Sequence, residues 1–567
     1  MHLAELGHRF DATPQTEQAD PREVQNNAGG FVFAVDEWTR LDRFCILGTA
    51  EPTYYTDARK LTKDNFAHVS VMIKAHGVDV VKRVVDISVS GRAAKQEYAI
   101  FVLAMCAGAE DVDVRRAALD ALPKVCRTGS TLLLFASYVE QFRGWGPTLC
   151  DGIRNWYNGK DVSDRLAYQV LKYQNRYGWT HRDLLRLAHV NPIVTGEPST
   201  FNSTEVKPYS LTSERDRLYA WITGKKDAPT TYDLPIIVKV YERAHAAKEI
   251  DFESLDDLTH EMIPTDWKKS GDVWTKLLGR MPLTAMIRNL ATMTVSGALA
   301  PGSPGAHRVV SALGDAEHLR KSRVHPAAIL TALAVYRSGK GIKGSQTWIP
   351  TPEVVQALDA AFYLAFPNVV PAGKRTLIGL DVSGSMEFPL SALPALSSRE
   401  ATAALAMLMV ATEPEVQVYG FTANERGYGG HWSKGEPNMT QIPMHRGQHI
   451  PDVCSYVARL PMGGTDCATP MNYALANRIP VDTFVIMTDN ETWAGNIHPM
   501  EALRKYRREM GIPARLAVIG TTATEFSIAD PDDAGTMDFV GFDAALPIML
   551  NDFSRGGPHP HEVENEG

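Results

Sequence analysis

Between about residues 96 and 370 the apolar positions recur with a helical period. In KQEYAIFVLAMCAG, Tyr98, Phe101, Val102, Met105 and Cys106 fall at i, i+3, i+4, i+7 and i+8. In DVDVRRAALDALPKVC, Val114, Ala117, Ala118, Ala121, Leu122 and Val125 carry the same spacing. Each pattern predicts an amphipathic helix with one buried face. Consecutive helices of this kind pair into hairpins, and stacked hairpins build an α-solenoid. The Val-Arg-x-Ala-Ala-Leu phrase is of the HEAT-repeat type, although no fixed period runs through the region; a compact all-α domain is the alternative. Loops are expected at Val190–Ser213 and Ser296–Gly305, and a linker at Pro367–Gly373.

After the linker the period changes. Apolar runs ending at Asp381, at VQVYGFT (416–422), at DTFVIMTD (482–489) and at ARLAVIG (514–520) alternate with helical stretches near 399–412, before 461, and at 498–511. Short continuous apolar runs are strands buried on both faces, and their alternation with helices predicts a mostly parallel, doubly wound sheet. The expected organisation is a mobile tail over 1–28, a helical module over 29–373, an α/β domain over 374–553 and a disordered tail over 554–567.

Composition narrows the possibilities. The chain has 567 residues with 44% hydrophobic positions, enough for several domains with ordinary cores. No run approaches the ~20 apolar residues of a membrane span, and the first 30 residues carry no secretory h-region. Six cysteines without a C-x-x-C pair point to the reducing cytoplasm and away from disulfides or zinc. The net charge of −8 is unevenly spread: His318–Ser345 holds six basic and no acidic residues, whereas from Val481 onward 15 acids face 6 bases. Such asymmetry fits a polyanion held by basic patches.

Two constellations carry chemistry. In KRTLIGLDVSGSM, Asp381, Ser383 and Ser385 follow a buried strand, at the carboxyl edge where α/β sheets bind ligands. Thr465 in PMGGTDCATPM and Asp489 in VIMTDNET are predicted to converge on the same edge. Five oxygen-bearing side chains suit a hard cation, most simply Mg²⁺. The plain alternative is that Ser383 and Ser385 only turn the chain and cap a helix. The Asp-x-Ser-x-Ser spacing of Asp381, Ser383 and Ser385 resembles that of a von Willebrand factor A domain. The second constellation is Lys160–Val190, with six Lys or Arg among Tyr168, Tyr173, Tyr177 and Trp179. Lys172 with Arg176, and Arg182 with Arg186 and His189, are spaced as helix faces. Cations beside aromatic rings suit phosphates and unstacked bases, although an ordinary solvated face is the commoner meaning. Lys340 and Lys343, in the Gly-rich RSGKGIKGS, add a loop whose backbone could approach phosphate. There is no P-loop, nucleophile elbow or acid/base pair, so no enzyme is expected.

The phrases GGFVFAVDEWTRLDRF, YGWTHRDLLRLAHVNP, EMIPTDW, RVHPAAILTALAVYRSGKGIKG, LDVSGSM, MGGTDCATPM and TDNET together resemble the Ro autoantigen family, a TROVE module followed by a von Willebrand A domain, and a bacterial or phage orthologue in particular. The resemblance runs from Gly29 to about Phe553. It implies ring-like HEAT-type helical repeats whose ends are locked by a Rossmann-like A domain. It implies a small noncoding Y RNA on the outer surface and single-stranded 3′ ends of misfolded RNA in the central hole. It also implies an adaptor role for an exoribonuclease such as polynucleotide phosphorylase, with a monomeric, non-enzymatic protein. Family RNA contacts fall on Lys172, Arg176 and His189, and metal ligands on Ser383, Ser385 and Thr465 with Asp381 and Asp489. Tyr177 stands before Gly178 where the family usually has Asn. Rival expectations are a metal-dependent protein-adhesion scaffold and, less in keeping with the absence of an acidic cluster, a nuclease.

Overall fold

The computed structural model describes residues 12–47, 58–90, 92–93, 96–160, 165–190, 214–224, 234–322, 324, 326–341, 345–365, 371–387, 389–390, 393–423, 439–445, 448, 450–460, 463–521, 526–540 and 545–556. The predicted helices form at Glu97–Gly108 and Val112–Val125. Asp111 starts the second by accepting the backbone N–H groups of Asp113 and Val114 at 2.7 and 3.4 Å, which satisfies donors that a helix start leaves orphaned. Its apolar stripe is buried as the spacing predicts except at Ala117, which is half-buried. Glu97–Gly108 differs from the one-faced expectation: Ala99, Ile100 and Val102 through Ala107 are all buried. The helix packs among Glu37–Leu47, Ala58–Ser90, Val112–Val125 and Gly129–Phe142, so it is apolar nearly all round because it has neighbours nearly all round. Cys45, Cys106, Cys126, Cys150 and Cys467 are free and buried; burial pushes the Cys106 thiol up to about 12, so it behaves as a small hydrophobe.

The A domain is a six-stranded sheet in the order 536–540, 515–520, 483–488, 376–381, 416–421 and 439–441. The first five run parallel, and the last is an antiparallel edge strand. Thr376–Asp381 and Thr483–Thr488 are buried at every position. Their side chains alternate between two cores: Leu377, Phe484 and Ile486 pack with Met471 and Leu503, whereas Ile378, Leu380, Val485 and Met487 pack with Ala404 and Leu408. The second core is continuous with that of the helical module.

Both ends of the helical series land on this domain. At the far end, Pro326–Ser338 packs on strand Leu393–Ser397, and the Tyr363 hydroxyl donates to the Gln448 carbonyl. At the near end, Phe31–Ala34 pairs with Glu23–Gln25 on one side and with Phe526–Ser527 on the other. Arg43, fully buried, donates to Asp538 at 3.0 Å and to the Phe526 carbonyl at 2.8 Å. The A domain thus closes the helical series into a ring-like circuit. Residues 12–28, expected to be a mobile tail, are instead bound to the A domain. Polar side chains fix them, and such contacts leave no periodic signal. Residues 1–11 and 557–567 lie outside the described residues, and the last helix, Ala545–Arg555, runs slightly past the expected domain end. No helix among the described residues is long and apolar enough to cross a membrane.

Candidate functional site

The metal motif is assembled at the carboxyl ends of two adjacent parallel strands. Asp381 ends one of them and is fully buried. Its Oδ1 accepts the Ser383 N–H at 2.9 Å, and its Oδ2 accepts the Thr488 hydroxyl at 2.7 Å. Burial pushes this carboxyl up; the bonds from Ser383 and Thr488 and the charge of Arg399 pull against that. Asp489, next to Thr488, is buried and accepts the Glu491 N–H at 3.1 Å. The third loop is joined to the second: the Thr465 carbonyl accepts the N–H groups of Trp493 and Ala494 at 3.1 Å each, and Cys467 N–H donates to the Thr492 hydroxyl at 3.1 Å. The Thr465 side chain is fully buried, yet its hydroxyl has no hydrogen-bond partner among the described residues. An orphan hydroxyl of this kind costs about 1–3 kcal/mol unless something else engages it. Ser383 is buried; Ser385 belongs to the single turn Gly384–Glu387, but its side chain lies outside the described residues.

This donor set fits a hard cation: hydroxyl and carboxylate oxygens gather at one sheet edge, and one buried hydroxyl lacks a partner. Among the described residues no group of three His, Cys, Asp or Glu stands ready for a metal, so an ion here would rest on hydroxyls and two carboxylates.

Sequence reasoning missed two supports of these loops. Arg399, fully buried, donates to the carbonyls of Val382 at 2.9 Å and Ser383 at 3.3 Å. A charge inside the apolar helix Ser398–Thr412 was the available signal. The other support is the segment 12–31. Gln15 is fully buried and donates to Asp466 at 2.8 Å and to the Ile497 carbonyl at 2.9 Å; it also accepts from the Thr492 hydroxyl. Asn26 donates to the Thr492 carbonyl at 2.7 Å, and Asn27 to Glu491 at 2.8 Å. Gly30 lies so close that a Cβ there would meet the Thr492 carbonyl oxygen at 1.9 Å. His498 Nδ1 sits 3.0 Å from Glu23, and its Nε2 sits 2.8 Å from the Glu17 carbonyl. Acceptors on both nitrogens call for an imidazolium. Burial opposes that charge, and Glu23 outweighs it, so the His498 pKa is raised.

The basic segment folds differently from its predicted helix faces. The helix Ala167–Lys172 ends at Lys172. Arg176 then pairs with Trp179 across a tight turn in which Tyr177 and Gly178 have φ of 55° and 80°. These are type I′ values, for which Asn-Gly is the favoured pair, so Tyr177 occupies a left-handed position that strains a bulky residue. Lys172 and Arg176 therefore do not share a helix. His181–Leu187 carries Arg182 and Arg186, both exposed, and Arg186 donates to the Thr223 carbonyl at 3.0 Å. His189 lies past that helix at φ 47°, exposed but off its face. Lys340 is exposed on its own turn, bridged to Thr347, and Lys343 lies outside the described residues.

Lys172 has partners from elsewhere in the chain. Its ammonium is 3.5 Å from Glu261 and 3.2 Å from the Tyr168 hydroxyl, over the rings of Tyr168 and Tyr173 at 5.3 and 5.6 Å. His260 Nδ1 is 3.0 Å from the other Glu261 oxygen, and Asn289 donates to its Nε2 at 3.1 Å. Lys268 is within electrostatic reach of both Glu261 and Arg176. Sequence spacing could not place Glu261 and Lys268 beside Lys172.

Comparison with known proteins covers almost the whole chain. The family description "Ro60 vWA domain" matches residues 375–554, and "TROVE domain" matches 24–258 and 240–335. The chain is 35% identical to "RNA-binding protein RO60" of Caenorhabditis elegans, over 96% of this chain and 91% of that one. It is 37% identical to the protein of the same name from Deinococcus radiodurans, over 96% and 97%. The crystal structure of the Deinococcus radiodurans Ro (Rsr) protein superposes with a TM-score of 0.65 at 34% identity, covering 92% of this chain and all of that one. With both domains matched in order and nearly end to end, the chain belongs to the Ro60 family of TROVE–von Willebrand A proteins.

Proposed function

We propose that this protein is a non-enzymatic RNA-binding scaffold of the cytoplasm. The observation that carries the reading is Lys172 over the rings of Tyr168 and Tyr173, with Lys268 and Arg176 in electrostatic reach of one another, in a chain that matches RNA-binding relatives end to end. The ligand on this face is a small structured noncoding RNA of the Y type, held by phosphate and shape contacts. Arg182, Arg186, His189 and Lys340, all exposed, and Lys343 are further RNA contacts in this reading. Single-stranded 3′ ends of misfolded RNA enter the ring, and a monomer presents them to an exoribonuclease such as polynucleotide phosphorylase. Asp381, Ser383, Ser385, Thr465 and Asp489 hold Mg²⁺, which ties the three loops together and offers an open position to an acidic group.

The test is a salt series of binding to a hairpin RNA with and without a single-stranded 3′ tail. Lys172→Ala/Arg176→Ala/His189→Ala should weaken binding and flatten the salt slope by about 0.7–0.9 per lost phosphate contact, and the tail should tighten it. Weak, tail-indifferent binding that the triple variant leaves unchanged would sink the reading. The Thr465 hydroxyl, without a partner among the described residues, favours a second reading, a metal-dependent protein-adhesion scaffold. Asp381→Ala/Ser383→Ala that abolishes protein capture with RNA binding intact would support it.

A further inference from the structure

The Lys172 cluster is a group of cations built around one carboxylate. Glu261 places one oxygen 3.5 Å from the Lys172 ammonium and the other 3.0 Å from His260 Nδ1. Asn289 donates to His260 Nε2 at 3.1 Å, which leaves Nδ1 turned toward the carboxylate. Lys268 is within electrostatic reach of the same carboxylate and of Arg176. Two lysine ammoniums therefore act on a single carboxylate, Lys172 by contact and Lys268 by its field. The Lys172 and Glu261 side chains are only 16% and 21% exposed, unlike the exposed pairs Lys269–Asp266 and Lys82–Asp79. Two carboxylate oxygens present to cations much what two phosphate oxygens do.

We propose that Glu261 is a built-in counter-anion of the RNA-binding cluster: it occupies the place of a backbone phosphate and lowers the affinity of the site for RNA. The inference rests on the RNA reading above. An incoming phosphate must share Lys172 and Lys268 with a carboxylate of like charge or displace it, and either route lowers affinity. Protonation offers no escape. Burial alone would raise the Glu261 carboxyl, but His260 and Lys172 outweigh it and hold it at about 2. The net surplus of positive charge still attracts a polyanion, while the carboxylate discourages isolated small anions that bring no second contact.

The experiment is Glu261→Gln, which keeps shape and removes charge, measured with the hairpin RNA across a salt series. The dissociation constant should fall about two- to fivefold, the scale of a partly screened ion pair. The salt slope should steepen by up to about 0.7–0.9 as Lys172 gains a phosphate. Glu261→Asp, which draws the charge back by one methylene, should tighten binding less, and it serves as the test if the Gln variant melts early. Unchanged or weaker binding by a folded variant would overturn the proposal and make Glu261 a positioning residue for Lys172. If the wild type shows no salt-dependent binding weakened by the triple substitution, the RNA reading itself falls; if it does, a null result for Glu261→Gln falls on this inference alone.

Discussion

The metal loops and the cation cluster solve opposite problems. At the sheet edge, Asp381, Ser383, Thr465 and Asp489 are all buried, and Asp381 is bonded on both oxygens. The cluster on the helical module keeps Arg176, Arg182, Arg186 and His189 exposed and neutralises its best-placed lysine internally. A buried site must have its geometry fixed before the ligand arrives, because unpaired polar atoms are costly there. An exposed site facing a polyanion can rely on charge, and must limit it to stay selective. Substitutions at the sheet edge should therefore show in stability, and those at the cluster in binding.

The largest effect is expected at Arg399. Arg399→Met removes the donor to the Val382 and Ser383 carbonyls and the positive charge that acts on Asp381. Breaking a buried charge network costs about 3–5 kcal/mol, so chemical denaturation should register a loss of that order. A shift below about 1 kcal/mol, the range of ordinary surface changes, would remove the contrast between the two regions.

His498 comes next. Its bond to Glu23 ties the segment 12–31 to the A domain, and a buried charge-assisted bond contributes about 1.5–3 kcal/mol. Because the folded pKa is raised above the ordinary 6.5, the stabilisation is complete below pH 6.5 and is lost as pH rises through the folded value. Melting temperature and protection of residues 12–31 from proteolysis should both decline across that window, and His498→Gln should flatten the decline. A profile that the substitution leaves unaltered would assign the pH dependence elsewhere.

At the cluster the expectation reverses. Lys172→Met/Arg176→Ala keeps the Lys172 stem packed and should cost less stability than Arg399→Met, because Glu261 retains His260 beside it, while RNA affinity drops. A large loss of stability with unchanged binding would mean that the cluster is structural.

The two regions also differ in how far the sequence reveals them. Asp381, Ser383 and the buried strand before them are contiguous, and a parallel strand covered on both faces is a plain apolar run. Thr465 and Asp489 stand at equally local punctuation. The cluster is distributed. Lys172 and Arg176 fit a helical spacing, yet the helix stops at Lys172 and the chain turns at Tyr177 and Gly178, a turn for which Tyr is a poor signal. Glu261 and Lys268 reach it from another part of the fold. The segment 12–28 escaped for a third reason: Gln15 and Asn26 hold it by polar bonds to the 465–467 and 490–497 loops, and polar bonds follow no period. Arg399 was readable only as an oddity, one guanidinium in an apolar helix.

The smallest expected change in stability is the sharpest test of the metal edge. Thr465→Val preserves shape and removes a buried hydroxyl that has no partner among the described residues. In the presence of a chelator the variant should melt as high as the wild type or slightly higher, by up to about 1 kcal/mol, since the orphan group no longer has to be desolvated. With Mg²⁺ the order should invert: a ligand that binds only the folded state stabilises it in proportion to the logarithm of its concentration over Kd, and only the wild type offers the hydroxyl. A structural hydroxyl would behave otherwise, costing stability in both conditions. Inversion on adding the ion assigns Thr465 to the metal, and equal melting curves throughout would leave the A domain as the clasp of the ring alone.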